Sequence, residues 1–143
     1  MIWKITEIYV RSPKNTLKIL KGVDILVKIL LLLSLEIALL VWGQILWKTG
    51  VNQIGIVGLN NVMDLLISPY VWCGIAIYGL ATLIWMFILS RANLSTVYPM
   101  QSLAYVFGLL AGIMLFGEKV TAAGWIGVLL IISGVFLTGI GLK

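Results

Sequence analysis

A single carboxylate stands where carboxylates are rarely found. Glu36 lies in the apolar run LLLLSLEIALLVWG, flanked by Leu35 and Ile37. An ionised carboxylate is expensive in such surroundings, so it either carries a proton or faces a polar cavity or a cation. That permits exchange of a proton for a cationic substrate; the plainer alternative is a neutral carboxyl that hydrogen-bonds a neighbouring helix. Gln44 and Lys48 follow at spacings of eight and twelve, on a slowly rotating stripe of the same helix. One end of that helix therefore presents Gly43, Gln44 and Lys48 together. Trp47 beside them is expected in the aromatic belt at the membrane interface, with Trp3, Trp72 and Trp125.

A second polar group reads Tyr98-Pro99-Met100-Gln101-Ser102. Tyr98, Gln101, Ser102 and Tyr105 recur at i, i+3, i+4 and i+7, one face of a helix. Pro99 frees a backbone carbonyl, which a bilayer helix tolerates only where neighbouring groups, water or a cavity satisfy it. A polar face in an apolar helix points to a substrate pathway or to a helix partner, and the pathway is favoured.

The remaining composition removes other chemistries. Of 143 residues, 62% are hydrophobic and 10% charged, against roughly 25% charged in a soluble domain. The chain reads as an all-α integral membrane protein. With no histidine and one cysteine, Cys73, it offers no zinc cluster, no Ser-His or Cys-His nucleophilic pair and no disulfide framework. No metal, no cofactor and no enzymatic reaction are expected. The net charge of +5 does not imply nucleic acid, because the cations crowd the N-terminus instead of forming a folded basic surface.

The elements that must hold these residues are four apolar spans, at about 27–47, 70–89, 94–116 and 122–142. Each supplies the roughly 20 residues a bilayer helix needs, and the length accommodates four. Ser90 to Asn93 make a tight hairpin turn between the second and third. Gly117, Glu118 and Lys119 turn the chain between the third and fourth, with Gly117 as a left-handed cap. The stretch from Thr49 to Pro69 carries Asn52, Gly55, Gly58, Asn60 and Asn61 and is expected to be a loop, with one short turn over Val62 to Ile67.

Residues 1–24 differ in kind from the transmembrane domain at 25–143. After Ser12 and Pro13, a helix start, Leu17, Leu20 and Val23 alternate with Lys14, Lys18 and Lys21. This is a basic amphipathic helix suited to the headgroup region, or a solvated leader that only enforces topology; a cleaved signal peptide fits less well. Lys28 sits at the membrane edge, where it can snorkel. With four spans the termini share a side. That side holds Lys4, Arg11, Lys14, Lys18, Lys21, Lys28, Arg91 and Lys143, against Lys48 and Lys119 opposite. Both termini are therefore expected in the cytoplasm, with the protein in the cytoplasmic (inner) membrane.

Small residues mark packing faces. Ala104, Gly108 and Gly112 form a small-xxx-small ladder, and Gly127, Gly134 and Gly141 recur every seven residues on the last span. Such stripes let backbones approach closely in lipid, and the seven-residue repeat suggests a dimer seam.

These features together resemble the small multidrug resistance proteins of the drug/metabolite transporter superfamily. The matching marks are four short spans, a membrane Glu in the first, Lys48-Thr49-Gly50 at its end, Tyr98 with Ser102 in the third, and Gly127 with Gly134 in the fourth. The run from Leu89 to Gly139, containing SRANLSTVYPMQSLAYVFGLLAGIMLFGEKVTAAGWIGVLLIISG, together with GQILWKTG, looks like the subunits of the aminoarabinose-phosphoundecaprenol flippase and related four-helix EamA-like proteins. The resemblance spans about residues 27 to 142 and leaves the basic leader unmatched.

The resemblance implies a half-transporter in which the first three helices line a chamber and the fourth mediates dimerisation. Tyr98 and Ser102 then belong to the chamber, and Gly127 and Gly134 to the seam. Two departures are visible. In drug-exporting members the essential Glu stands where this chain has Leu40, one turn after Glu36, and Trp stands where it has Gln101. An amide there favours a ligand bearing hydroxyls or phosphate over a flat aromatic cation.

Three functions remain open: a flippase subunit for a lipid-linked sugar, a proton-coupled exporter of small cations, and a non-transport subunit scaffolding a glycosyltransferase. The expected partners are membrane lipids, an amphiphilic substrate and a second protomer. Because the basic leader fixes orientation, an oppositely oriented paralogue is the expected partner.

Overall fold

The computed structural model describes residues 13–58 and 60–140, with side chains from residue 22 onward. Six helices follow in order: α1 (Pro13–Ile54), α2 (Val62–Ile67), α3 (Pro69–Leu89), α4 (Leu94–Gln101), α5 (Leu103–Phe116) and α6 (Ala122–Ile140). There is no strand among the described residues. Four segments are long and apolar enough to cross a bilayer: Gly22–Ile54, Pro69–Leu89, Leu94–Phe116 and Ala122–Ile140. The fold is a four-span helical membrane bundle, and the protein is multi-pass.

The first span is longer than its sequence suggests. α1 runs past Trp47 to Ile54, so the loop expected from Thr49 begins only at Gly55. Within the helix the Thr49 hydroxyl is satisfied by donating to the Ile45 carbonyl at 2.8 Å, one turn back. Gly50 is buried against Tyr70 and Ser68, a close approach that its missing side chain permits. Gly55, at φ 86°, then ends the helix in the left-handed region. At the other end α1 starts at Pro13 and continues into the span, so the boundary expected near residue 24 is not a break in the helix. Residues 1–12 and the side chains up to residue 21 lie outside the described part, and with them most of the basic face.

α3 runs antiparallel to α1. Gly50 faces Tyr70 and Gly43 faces Gly74, while Leu33 packs with Ile88 near the other end. The part of α1 matched to α3 is therefore about residues 29–50, roughly 33 Å of helix, against a hydrocarbon core of about 30 Å. Glu36 lies within about 5 Å of the centre of that segment and Lys48 about 13 Å from it, near the edge. Lys28 falls just beyond the opposite edge.

Lipid offers little hydrophobic drive between helices, so the contacts depend on close packing and on hydrogen bonds. Trp47 shows this. Its indole stacks on Tyr78, with centroids 4.7 Å apart at 21°, and its ring N–H donates to the Val71 carbonyl at 3.2 Å. The indole lies against bare Gly74. Trp47 is thus a seam residue, not the interfacial anchor expected from sequence, because two glycines bring α1 and α3 close enough to trap it. Trp72 is exposed and ties α3 to α2 by donating to the Leu66 carbonyl at 2.8 Å.

The core sits toward the α3–α4 hairpin, where Leu33, Ile37, Ile88 and Val97 are all buried. Most other large apolar side chains face outward, Met114 at 81% exposure among them. In water such surface would be an aggregation hazard; in a bilayer it is the lipid-facing coat. Gly117, at φ 65°, closes α5 in the left-handed region as expected.

The third span is not one regular helix. It breaks at Ser102, whose N–H bonds the Pro99 carbonyl at 3.1 Å, three residues back, and whose carbonyl accepts from Tyr105 N–H at 3.0 Å. The Ser102 hydroxyl also donates to the Pro99 carbonyl. Pro99 thus tightens the turn that follows it. α6 packs on α4 and α5 and is exposed along most of its length.

A Cβ at Gly74 would collide with the Trp47 indole ring, whereas at Gly79, on the same helix, nothing lies within 4 Å. Gly74→Ala should therefore destabilise the detergent-solubilised protein by about 1–3 kcal/mol, the range for overpacking. Gly79→Ala should be neutral or mildly stabilising. Thermal unfolding of the two variants checks this.

Candidate functional site

The polar residues of α1, α4 and α5 converge on one cavity. It has a volume of about 420 Å³ and lies between the first three spans. Glu36, Gln44, Tyr98, Gln101, Ser102 and Tyr105 all line it. The third wall is α3, through Tyr78, Thr82 and Trp85. Leu40, at the position of the drug exporters' carboxylate, also lines it, so moving the acid one turn keeps it on the same cavity.

Glu36 is the centre of the arrangement. It is 1% exposed, and its Oε1 accepts a hydrogen bond from the Gln101 amide at 2.7 Å. Its Oε2 is buried without a hydrogen-bond partner. A buried polar atom left unpaired costs about 1–3 kcal/mol, so this oxygen is available to a proton or a cation. The bond to Gln101 fixes the carboxyl plane and joins α1 to the segment just before the break at Ser102. Glu36 thus bonds a neighbouring helix, as in the plainer alternative, but with one oxygen only.

The rim is aromatic and amide-bearing. Gln44 donates to the Tyr78 hydroxyl at 3.4 Å, and Tyr78 is held from behind by the Trp47 stack. Tyr98 lies beside Trp85, centroids 6.1 Å apart and tilted by 57°. Tyr98 and Tyr105 are largely exposed, on the side where the cavity meets its surroundings. The Thr82 hydroxyl donates to the Tyr78 carbonyl at 2.8 Å and so has only its lone pairs left to offer.

Tyr78, Thr82 and Trp85 were not among the residues expected from sequence. Their spacing of i, i+4 and i+7 marks one helix face, and that stripe was the available signal. Lys48, on the stripe of Glu36 and Gln44, does not reach this cavity. Its Nζ pairs instead with Glu118 Oε1 at 2.8 Å. Of the glycines expected at a dimer seam, Gly127 and Gly134 face open space, and Gly141 lies outside the described residues. The other ladder, Ala104, Gly108 and Gly112, is on the third span, where Gly108 faces Gln44 and Gly112 faces Glu118. No group of three or more acidic, histidine or cysteine side chains comes together among the described residues, so the site offers one carboxylate and not a metal-ligand set.

No family model matches the chain, and no solved structure matches it. Curated proteins do. A protein of Pseudomonas fluorescens is 35% identical over 109 residues, 76% of this chain and 94% of the relative. One of Aeromonas hydrophila subsp. hydrophila is 34% identical over 110 residues, 77% of this chain and 96% of the relative. One of Pseudomonas aeruginosa is 34% identical over 97 residues, 68% of this chain and 84% of the relative. Each is named a probable 4-amino-4-deoxy-L-arabinose-phosphoundecaprenol flippase subunit ArnE.

Gln101→Leu leaves both Glu36 oxygens buried without a partner. It should destabilise the protein by about 1–2 kcal/mol, the upper range for hydrogen bonds between membrane helices. Adding Glu36→Leu should recover most of the loss, since removing both partners leaves nothing unpaired. A double-mutant cycle on thermal unfolding measures it.

Proposed function

The chain belongs to the family of 4-amino-4-deoxy-L-arabinose-phosphoundecaprenol flippase subunits, and from that membership we propose that it moves a polyisoprenyl-phosphate amino sugar between the leaflets of the cytoplasmic membrane. The observation that carries the reading is the free, buried Oε2 of Glu36 on a cavity bounded by three spans. A carboxylate with one oxygen committed to an amide and the other unpaired suits a substrate ammonium. The hydroxyls and amides of Tyr78, Tyr98, Tyr105, Gln44 and Gln101 suit a sugar. The tail remains in lipid while the head group enters past the exposed Tyr98 and Tyr105. No bond is made or broken, so the protein acts as a transporter subunit and not as an enzyme.

The assembly follows from the charge bias and the fourth span. The cationic excess puts both termini in the cytoplasm. Gly127 and Gly134, open on the outward face of α6, provide a surface for a second protomer. An oppositely oriented paralogue supplies the inverted half that alternating access requires. The break at Ser102 lets α4 shift against α5 when substrate binds the free Oε2 of Glu36.

A second reading, proton-coupled export of small cations, is favoured by one observation. Although Gln101 replaces the exporters' tryptophan, Trp85 and Tyr98 still give the cavity aromatic faces, and aromatic faces attract cations.

Two measurements follow. In proteoliposomes carrying a phosphoundecaprenol amino sugar and the partner subunit, Glu36→Gln should lower translocation at least tenfold, with partial activity in Glu36→Asp; wild-type rates in Glu36→Gln would overturn the reading. A quaternary ammonium compound added to the purified protein should release no protons. Release that disappears in Glu36→Gln would favour the exporter instead.

A further inference from the structure

The Lys48–Glu118 pair stands at the membrane edge, apart from the central cavity. Both side chains are about half exposed, at 46% and 49%, so a ligand can reach them. The surrounding structure is shaped to form the pair. Gly117 turns the chain in the left-handed region, which sends Glu118 back along α5. Gly112 then makes room, since a Cβ there would lie 2.6 Å from Glu118 Oε2. Phe116 lies under the Lys48 ammonium, 6.0 Å from Nζ to the ring centroid.

The pair closes one side of a second cavity of about 210 Å³, lined by Gln44, Lys48, Gly108, Gly112, Phe116 and Glu118. Gln44 lines the central cavity as well. Glu36, Gln44 and Lys48 therefore mark a continuous track along α1, about 18 Å from first to last. That distance exceeds half of a 30 Å hydrocarbon core. A head group at Glu36 is near the midplane, and one at Lys48 is at the membrane edge.

We propose that Lys48 and Glu118 form a second head-group site, specific for a zwitterion that carries an amine and a phosphodiester; this rests on the lipid-linked amino-sugar reading above. Lys48 binds the phosphodiester and Glu118 the amine, so two ion pairs with the substrate replace the one within the protein. No covalent step is involved. Lys48 lies in the last two turns of α1 and Glu118 just past the end of α5, at the end of the bundle away from Pro13 and Ile140, so the site serves the leaflet opposite the termini. A lipid whose sugar lacks the amine keeps only the contact of its phosphodiester with Lys48 and leaves Glu118 without a partner, which gives the site its selectivity.

The test is native mass spectrometry of the full chain in detergent, titrated with two probes. One is phosphoundecaprenol bearing a 4-amino sugar, and the other the same lipid with a hydroxyl in place of the amine. The variants are made in a Glu36→Gln background, which removes the central carboxylate. In that background the amino lipid should still bind about tenfold more tightly than the hydroxy lipid. Glu118→Gln should erase the preference, and Lys48→Gln should weaken both lipids about tenfold. The reversed pair, Lys48→Glu with Glu118→Lys, should not restore binding, because the lipid tail then points the wrong way.

Two results would overturn the proposal while leaving the function standing: loss of all preference through Glu36→Gln alone, or full binding by the reversed pair. Absence of any preference in the wild-type chain would overturn both. The two glutamine variants add no bulk, so the test does not depend on the reversed pair folding.

Discussion

A carboxyl group held near the middle of a lipid-facing bundle is the constraint around which the structure is arranged. Hydrocarbon offers Glu36 no solvation, so its surroundings must supply it. The Gln101 amide satisfies one oxygen, and the other is left to whatever enters the cavity. Each neighbouring feature follows from that need. α4 must approach α1 closely enough for a 2.7 Å bond, and Val97 and Met100 pack around Leu33 and Ile37 to bring it there. Beyond the break at Ser102, Tyr105 lines the same cavity, seven residues on from Tyr98.

Packing in lipid explains why glycines and aromatic rings share the seams. Gly43 and Gly74 let α1 and α3 close around the Trp47 indole, whose stack fixes Tyr78 and, through it, Gln44. A residue with no polar role of its own in the cavity thereby positions one of the cavity's amides. The fourth span is different. Gly127, Gly134 and Gly139 face open space, and the span's contacts fall only on α4 and α5 among the element pairs that touch substantially. The three inner spans build the chamber, and the fourth leaves a face free.

Much of this was legible in the sequence, because hydrocarbon makes apolar length and intramembrane polarity strong signals. The four spans, the short helix at Val62–Ile67 and the left-handed cap at Gly117 follow from such reading. The polar residues of α1, α4 and α5 were visible for the same reason. What was not legible depends on tertiary contact. Thr49 and Gly50 look like the end of a helix, yet the helix continues to Ile54, with Gly50 packed closely against Tyr70 and Ser68. Trp47 looks like an interfacial residue until the two glycines opposite it are brought near. The α3 wall was missed because Thr82 and Tyr78 are weakly polar and scattered among apolar neighbours. Glu118 looks like a turn residue until Gly112 shows where it folds.

A lipid-linked amino sugar whose head group enters the cavity at Glu36 must bring its sugar ring within reach of α1 and α4. Photo-crosslinking reads this out, with a phosphoundecaprenol amino sugar carrying a diazirine on its sugar ring and the labelled peptides mapped by mass spectrometry. Label is expected on α1 around Glu36 and on α4 around Gln101, competed away by unlabelled amino-sugar lipid. Label confined to α6 or to the loop between Gly55 and Asn61, with none on α1 or α4, would contradict it.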